Sequence, residues 1–187
     1  DEPGVARRRL AYNELLLLQL GITLKRHFNS HRLAAPALRW SDAISEHIFA
    51  RFPFELTDDQ RQVIEEITGD LQHTRPMNRL LQGDVGAGKT VVALYALLLA
   101  VANRKQGALM VPTELLAEQH CFNLPRLLEP SRFEAVRMVG AQGAKERREA
   151  WDALASGRAQ LAVGTHALVQ NAVSFRRLGL VVIDEQH

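Results

Sequence analysis

A disulfide framework is excluded at the outset, because Cys121 is the only cysteine in 187 residues. Its expected role is packing rather than chemistry, and such sparing use of cysteine fits a reducing cytoplasm. Long apolar runs are also missing. Residues 91–102 carry no charge over twelve positions, and residues 15–18 are four leucines. Both fall short of the roughly 20 residues that a membrane-spanning helix needs. The first reads as a buried helix, the second as the core face of a longer one, and no cleavable signal pattern opens the chain. Internal repeats and low-complexity tracts are absent too. What is present is 47% hydrophobic and 24% charged residues, the balance of a globular protein rather than a disordered one. The length suits one α/β domain plus a small extra segment.

The net charge of +2 hides an asymmetry. Residues 1–40 hold seven Lys/Arg against three Asp/Glu, and the rest of the chain is slightly acidic. A basic N-terminal segment suits a polyanion partner. The Arg7, Arg8, Arg9 cluster reads equally as a solvated helix end, so charge alone does not decide for nucleic acid.

Residues 6–28 read as a helix: Leu10, Leu17 and Leu24 recur every seven positions, with Ala11, Leu15, Leu18 and Ile22 beside them. Two apolar stripes predict that this helix packs against something. A shorter helix is expected over 41–50, with Ile44 and Ile48 on one face, and another over 57–71, carrying Val63, Ile64, Ile67 and Leu71. Five apolar runs then alternate with helical stretches: 79–82, 108–111, 134–139, 160–164 and 179–183, with helices starting near Gly88, Thr113 and Gly143. That alternation predicts an α/β fold, a mostly parallel sheet with flanking helices. Residues 167–169 fit either a helical turn or a short strand. The boundary between an N-terminal helical segment (1–51) and the α/β domain (52–187) is placed near Phe52.

The strongest chemical signal is Gly83-Asp84-Val85-Gly86-Ala87-Gly88-Lys89-Thr90, the G-x-x-x-x-G-K-[ST] phosphate loop. It has the context that pattern requires, with an apolar stretch before it and an uncharged helix after it. Glycines allow the backbone angles and close approach that a Cβ would block. The loop amides then converge on phosphate oxygens at a helix N-terminus, whose dipole favours an anion. Lys89 adds positive charge for the β and γ phosphates, and Thr90 offers a hydroxyl to Mg²⁺. The partner element is Val181-Val182-Ile183-Asp184-Glu185-Gln186-His187. Its β-branched run ends in two acids where ligands of open α/β sheets bind. Asp184 is expected to hold Mg²⁺, and Glu185 to polarise the water that attacks the γ-phosphate. Thr57-x-x-Gln60 is also a capping box, and Thr113 a good N-cap. His166 and His187 lack metal-ligand spacing, so no zinc site is read.

The order of phosphate loop and Asp-Glu-Gln-His resembles the superfamily-two helicases of the DExH type, and so the P-loop NTPase, RecA-like fold. Leu56-Thr57-Asp58-Asp59-Gln60 looks like that family's adenine-recognition element, which implies that the Gln60 amide contacts the base with Phe52 or Phe54 near the ring. Pro112-Thr113-Glu114-Leu115-Leu116-Ala117-Glu118-Gln119-His120 and Val163-Gly164-Thr165-His166 look like two further helicase motifs, implying DNA-backbone contacts at Thr113 and Thr165. By the same pattern His187 links the ATP site to DNA or to the second motor domain. Within the superfamily, Arg75-Pro76-Met77-x-Arg79-Leu80-Leu81-Gln82 leading into the phosphate loop resembles the RecG-type ATP-dependent DNA helicases. Arg9-Leu10-Ala11-Tyr12-x-Glu14-Leu15-Leu16 is similar to the helix joining that family's wedge domain to its motor. The transcription-repair coupling translocases share part of this wording but read Pro-Thr-Thr and Asp-Glu-Glu-Gln. The resemblance implies ATP and Mg²⁺ as cofactors and a cytoplasmic, nucleoid-associated enzyme of recombination and repair. Its implied partners are branched DNA (forks and four-way junctions), together with a wedge domain and a second motor domain expected to lie outside these 187 residues. The fragment alone is expected to be inactive. A stand-alone nucleotide-binding switch is the reading from a different class; it has no need of the Pro-Thr-Glu-Leu-Leu-Ala and Gly-Thr-His phrases.

Overall fold

The computed structural model describes residues 2–127 and 133–185. Three helices come first: α1 (Glu2–Arg32), α2 (Asp42–Phe49) and α3 (Asp58–Leu71). Then follow α4 (Lys89–Ala102), β1 (Gln106–Met110), α5 (Glu114–Leu127), β2 (Glu134–Met138), α6 (Ala144–Ser156), β3 (Ala159–Gly164) and β4 (Leu178–Ile183). Between β3 and β4 lies a 3₁₀ turn, His166–Val169, so the helical alternative holds there. The four strands form one parallel sheet in the order β2-β3-β1-β4.

Parallel sheets are covered on both faces, and period-two alternation along β3 shows how. Leu161 and Val163 join the core beneath α4 and α5. Ala162, between them, joins the second core with Ala150, Ala153 and Leu154 of α6. The polar Gln106 is buried at the start of β1 and fully used. Its Nε2 donates to the carbonyls of Leu154 (2.9 Å) and Ala159 (2.7 Å), and its Oε1 accepts from Arg177 N (2.9 Å). One side chain thus staples β1 to its neighbours on both sides.

Helix α4 is apolar all round because it is enclosed all round. Tyr95, Leu97 and Leu99 are fully buried, with β1 and β4 on one side and α2 and α3 on the other. The Tyr95 hydroxyl sits 2.9 Å from Ser45 Oγ and accepts from Trp40 Nε1 at 3.2 Å, and its ring packs against Phe49 with centroids 5.1 Å apart. The preceding strap is stitched down by backbone bonds from Ala35 N to Thr74 O and from Leu38 N to Leu71 O, both 2.8 Å. Arg39 and Asn103 exchange two more bonds, at 2.7 and 2.9 Å. Leu38, Ile48 and Phe52 consequently share one core with α3 and α4.

Two expectations change. The leucine stripes of α1 are not covered by anything among the described residues; Leu17, for example, is 69% exposed. A helix of 31 residues rises about 1.5 Å per residue and extends past the part of the chain that folds around α4. Residues 79–82 do not form a strand, so the sheet has four strands rather than five among the described residues. Membership of a sheet needs a ladder partner as well as an apolar run, and Leu80 instead stands 75% exposed. Arg79 is held by α3 through Glu66 at 2.6 Å and Asp70 at 2.9 Å.

The Tyr95 hydroxyl yields a stability test. Tyr95→Phe leaves Ser45 Oγ buried without its partner, a loss of about 1–3 kcal/mol. Urea unfolding is expected to show a lower midpoint with an unchanged slope.

Candidate functional site

The position of α4 places the phosphate loop. A tight turn at 103–105 joins the end of α4 to the start of β1, and α4 packs along β1 and β4. The N-terminus of α4 therefore lies at the C-terminal edge of the sheet. Residues following the other strands gather along that edge in the order Thr165 after β3, Thr113 after β1 and Asp184 after β4.

The loop has the shape of an anion cradle. Gly86 (φ 84°) and Gly88 (φ 76°) adopt left-handed backbone, and a turn closes from Ala87 N to Asp84 O at 3.2 Å. No side chain caps α4 at Gly88, which leaves its first amides for a ligand. A Cβ on Gly83 would make only ordinary contacts, with Ala87 and Lys89, and Val85 at the tip is fully exposed. Lys89 folds over the loop and donates to the carbonyls of Gly83 at 2.8 Å and Asp84 at 2.9 Å. The ammonium thus lies within the curve where phosphate oxygens belong. Thr90 follows in the first turn of α4.

Gln60 forms the capping box. Its Oε1 accepts from Thr57 N at 3.0 Å, and Thr57 Oγ1 accepts from Gln60 N at 3.2 Å. Its remaining group, Nε2, donates to Ala87 O of the phosphate loop at 3.0 Å. A Cβ on Gly88 would stand 2.3 Å from that nitrogen, so glycine is needed there for this approach as well as for φ. A cavity of about 350 Å³ opens beside the capped end of α3, lined by Phe49, Phe52, Phe54, Leu56 and Arg61. Phe52 and Phe54 stack with centroids 5.9 Å apart, and the Arg61 guanidinium lies 5.4 Å over the Phe49 ring. The sequence reading named Phe52 and Phe54; Phe49 and Arg61 join them only through the fold.

Asp184 is fixed at the end of β4. Its N–H donates to Met110 O at 2.8 Å, and its Oδ1 accepts from Glu185 N at 3.0 Å. Glu185 has φ 53°, a left-handed conformation uncommon in a residue bearing a Cβ. The other oxygen, Oδ2, lies 3.9 Å from His120 Nε2, a neighbour not anticipated from the sequence. Gln186 and His187, with the linking role read for His187, lie outside the described residues. Thr113 Oγ1 accepts from Leu116 N at 3.3 Å, an N-cap that leaves its own O–H free to donate. Gly164 is squeezed between strands, since a Cβ there would meet Met138 O at 2.0 Å. Thr165 N donates to that same carbonyl at 3.0 Å. Cys121 lies half-buried, and burial, with a smaller contribution from Glu118 and against that of Arg137, pushes its thiol up to about 11. Its side chain packs against the core around α4.

Comparison with known proteins agrees with this edge. The model of the DEAD/DEAH box helicases matches residues 57–187. The chain belongs to the DEAD/DEAH box helicase family. Its sheet and phosphate loop are those of a RecA-like P-loop NTPase. It is similar to the ATP-dependent DNA helicase RecG of Synechocystis (44% identity over 187 residues, all of this chain and 22% of the relative). The RecG of Bacillus subtilis is also 44% identical (98% of this chain, 27% of the relative), and that of Escherichia coli O157:H7 is 46% identical (97% and 26%). A solved structure of RecG bound to a three-way DNA junction superposes with a TM-score of 0.87 at 40% identity, covering 97% of this chain and 25% of that one. The chain thus spans about a quarter of the length of the curated relatives it matches. As in other DEAD/DEAH box helicases, ATP is the nucleotide implied.

The residues present fit that nucleotide: an uncapped helix start, two left-handed glycines, and an ammonium already turned into the loop. In the complete protein, Lys89→Ala is expected to weaken ATP binding about 10- to 100-fold, the worth of a charge-assisted hydrogen bond, without loss of fold. Titration with a fluorescent ATP analogue measures it; near-unchanged affinity and turnover would remove Lys89 from the phosphate site.

Proposed function

We propose that this chain is the ATP-binding half of a DNA motor that remodels branched DNA, stalled forks and four-way junctions, during recombination and repair. The observation that carries the reading is the shared edge: the phosphate loop and Asp184-Glu185 open on the same side of the sheet as Thr113 and Thr165. A nucleotide-driven rearrangement at that edge acts on whatever those two threonines touch.

The residue roles follow from the chemistry of each group. Gly83, Asp84, Val85, Gly86, Ala87 and Gly88 present backbone amides to the phosphates, and Lys89 supplies the fixed cation. The Thr90 hydroxyl and the Asp184 carboxylate are hard oxygen donors suited to Mg²⁺. When bound, Mg²⁺ neutralises charge on the phosphate oxygens. Glu185 orients the attacking water and takes its proton. The base enters the cavity beside Phe52 and Phe54, and Gln60 of the adjoining capping box contacts it. Thr113 and Thr165 donate to DNA phosphates, contacts that position the duplex without reading its sequence.

The relative solved on a three-way junction supports the branched substrate, and relatives about four times as long supply room for what a motor also needs. Positive charge on the far side of the γ-phosphate, worth about 10³–10⁵ in rate, belongs to a second motor domain. Grip on the branch belongs to a wedge domain. Residues 52–187 are the motor half and 1–51 the helical segment before it, whose second part docks on α4. The working location is the cytoplasm, at the nucleoid.

The test separates the two acids. In the complete protein Glu185→Gln is expected to keep ATP affinity while DNA-stimulated turnover falls about 10²–10⁴-fold, the usual share of a general base. Equal collapse of affinity and turnover would make Glu185 a metal or structural group and sink the assignment.

A further inference from the structure

We propose that His120 is a positioning residue for Asp184, holding the carboxylate in the orientation that receives Mg²⁺ and tying it to α5. The proposal rests on the reading of Asp184 as the metal ligand.

The packing of α5 does not call for a histidine at this point. Ala117 and Leu124 are buried on its inner face, with Leu116 and Cys121 packed against the same core. His120 falls on that face by helical spacing, yet it is polar and its side chain is only 16% exposed. A mostly covered imidazole on an apolar helix face needs a polar counterpart. The structure offers one: Asp184 Oδ2 at 3.9 Å, on a side chain that is itself 33% exposed.

The rest of Asp184 is already fixed. Its N–H is held by Met110 O, and Oδ1 receives the N–H of Glu185. Oδ2 is the oxygen left without a hydrogen bond among those described, and His120 Nε2 is its neighbour at 3.9 Å. At 3.9 Å the pair is beyond direct hydrogen-bond range, so the imidazole limits and attracts the oxygen without capturing it. A lone pair is thereby left for a cation. Metal-binding carboxylates are commonly oriented by a hydrogen-bonded partner whose loss costs about 10–100-fold in metal affinity or activity, and a neighbour beyond hydrogen-bond range is expected at the lower end. The link also has a reach. Thr113 caps the start of α5, seven residues and about two turns before His120. One rigid helix therefore carries a hydroxyl at the DNA-facing edge and an imidazole at the metal carboxylate.

The experiment uses the complete protein with ADP and Mn²⁺ as a paramagnetic probe. His120→Ala is expected to weaken Mn²⁺ binding in the presence of ADP about 10-fold, while ADP binding in excess chelator stays at the wild-type value. The Mg²⁺ concentration for half-maximal ATPase rises, and kcat at saturating Mg²⁺ changes little. His120→Gln, whose Nε2 occupies a similar place, restores most of the affinity. If the alanine variant fails to fold, His120→Leu keeps the bulk and answers the same question. Loss of metal-free ADP binding to the same degree would reduce His120 to a packing residue and overturn the proposal. Mn²⁺ affinity lost in Asp184→Asn but intact in the His120 variants would overturn the positioning role alone. Mn²⁺ affinity intact in Asp184→Asn would remove the metal reading of Asp184, and this proposal with it.

Discussion

The enclosure of α4 is the constraint on which the rest depends. A helix with no polar face is stable only if every side is covered, so β1, β4, α2 and α3 must all close around it. Once they do, its ends have fixed addresses. The C-terminal end feeds β1 through a short turn, and the N-terminal end must emerge at the opposite edge of the sheet. The glycine-rich loop is therefore delivered to the strand ends by burial of apolar surface rather than by any contact of its own. Docking of the strap and α2 through Tyr95, Ser45, Trp40 and Asn103 belongs to the same constraint, which explains why polar groups inside that contact are paired.

The loop carries the opposite problem, a surplus of unsatisfied groups. Amides at an uncapped helix start attract an anion, while the loop's carbonyls are bonded within the protein. Lys89 turns onto the Gly83 and Asp84 carbonyls, and Gln60 bonds Ala87 O. Both contacts use carbonyls and leave the amides open. The arrangement holds the loop near its working shape, with the ammonium inside the curve that phosphate oxygens enter. Gln60 does this while capping α3, so the start of that helix and the phosphate loop are joined through a single side chain.

Much of this was legible in the residues, and the parts that were not share a cause. The helices at 42–49, 58–71, 89–102 and 144–156 follow from spacing and caps that are local in sequence. The phosphate loop and the Asp184-Glu185 pair were legible because glycine, lysine and paired acids have few other uses in that order. Residues 79–82 looked like a strand because apolar runs do, but a strand needs a ladder from elsewhere in the chain. The α1 stripes were read as packed because apolar stripes usually are; whether a face is covered depends on neighbours that periodicity cannot name. Gln106, buried and bonded across three segments, and His120, brought beside Asp184 from 64 residues away, are invisible to any local pattern. The Thr57-Gln60 pair allowed two readings, and the structure forms the cap while spending the spare amide group on the loop.

Asp184 and Glu185 show how an adjacent pair of acids is kept from acting as one. Neighbouring carboxylates at a strand end would ordinarily point to opposite faces, following the alternation of the strand. Here the strand stops at Ile183, Asp184 N closes the last bond to β1, and Asp184 Oδ1 takes the N–H of Glu185. That bond turns the chain sharply enough to hold Glu185 at φ 53°, a conformation costing on the order of 1 kcal/mol or more for a residue with a Cβ. The strain is local and is sustained by a carboxylate–amide bond, one of the stronger kinds. Its effect is to take Glu185 off the alternation of the strand. Under the roles proposed for them, Asp184 toward a metal and Glu185 toward a water, the two carboxylates need that separation.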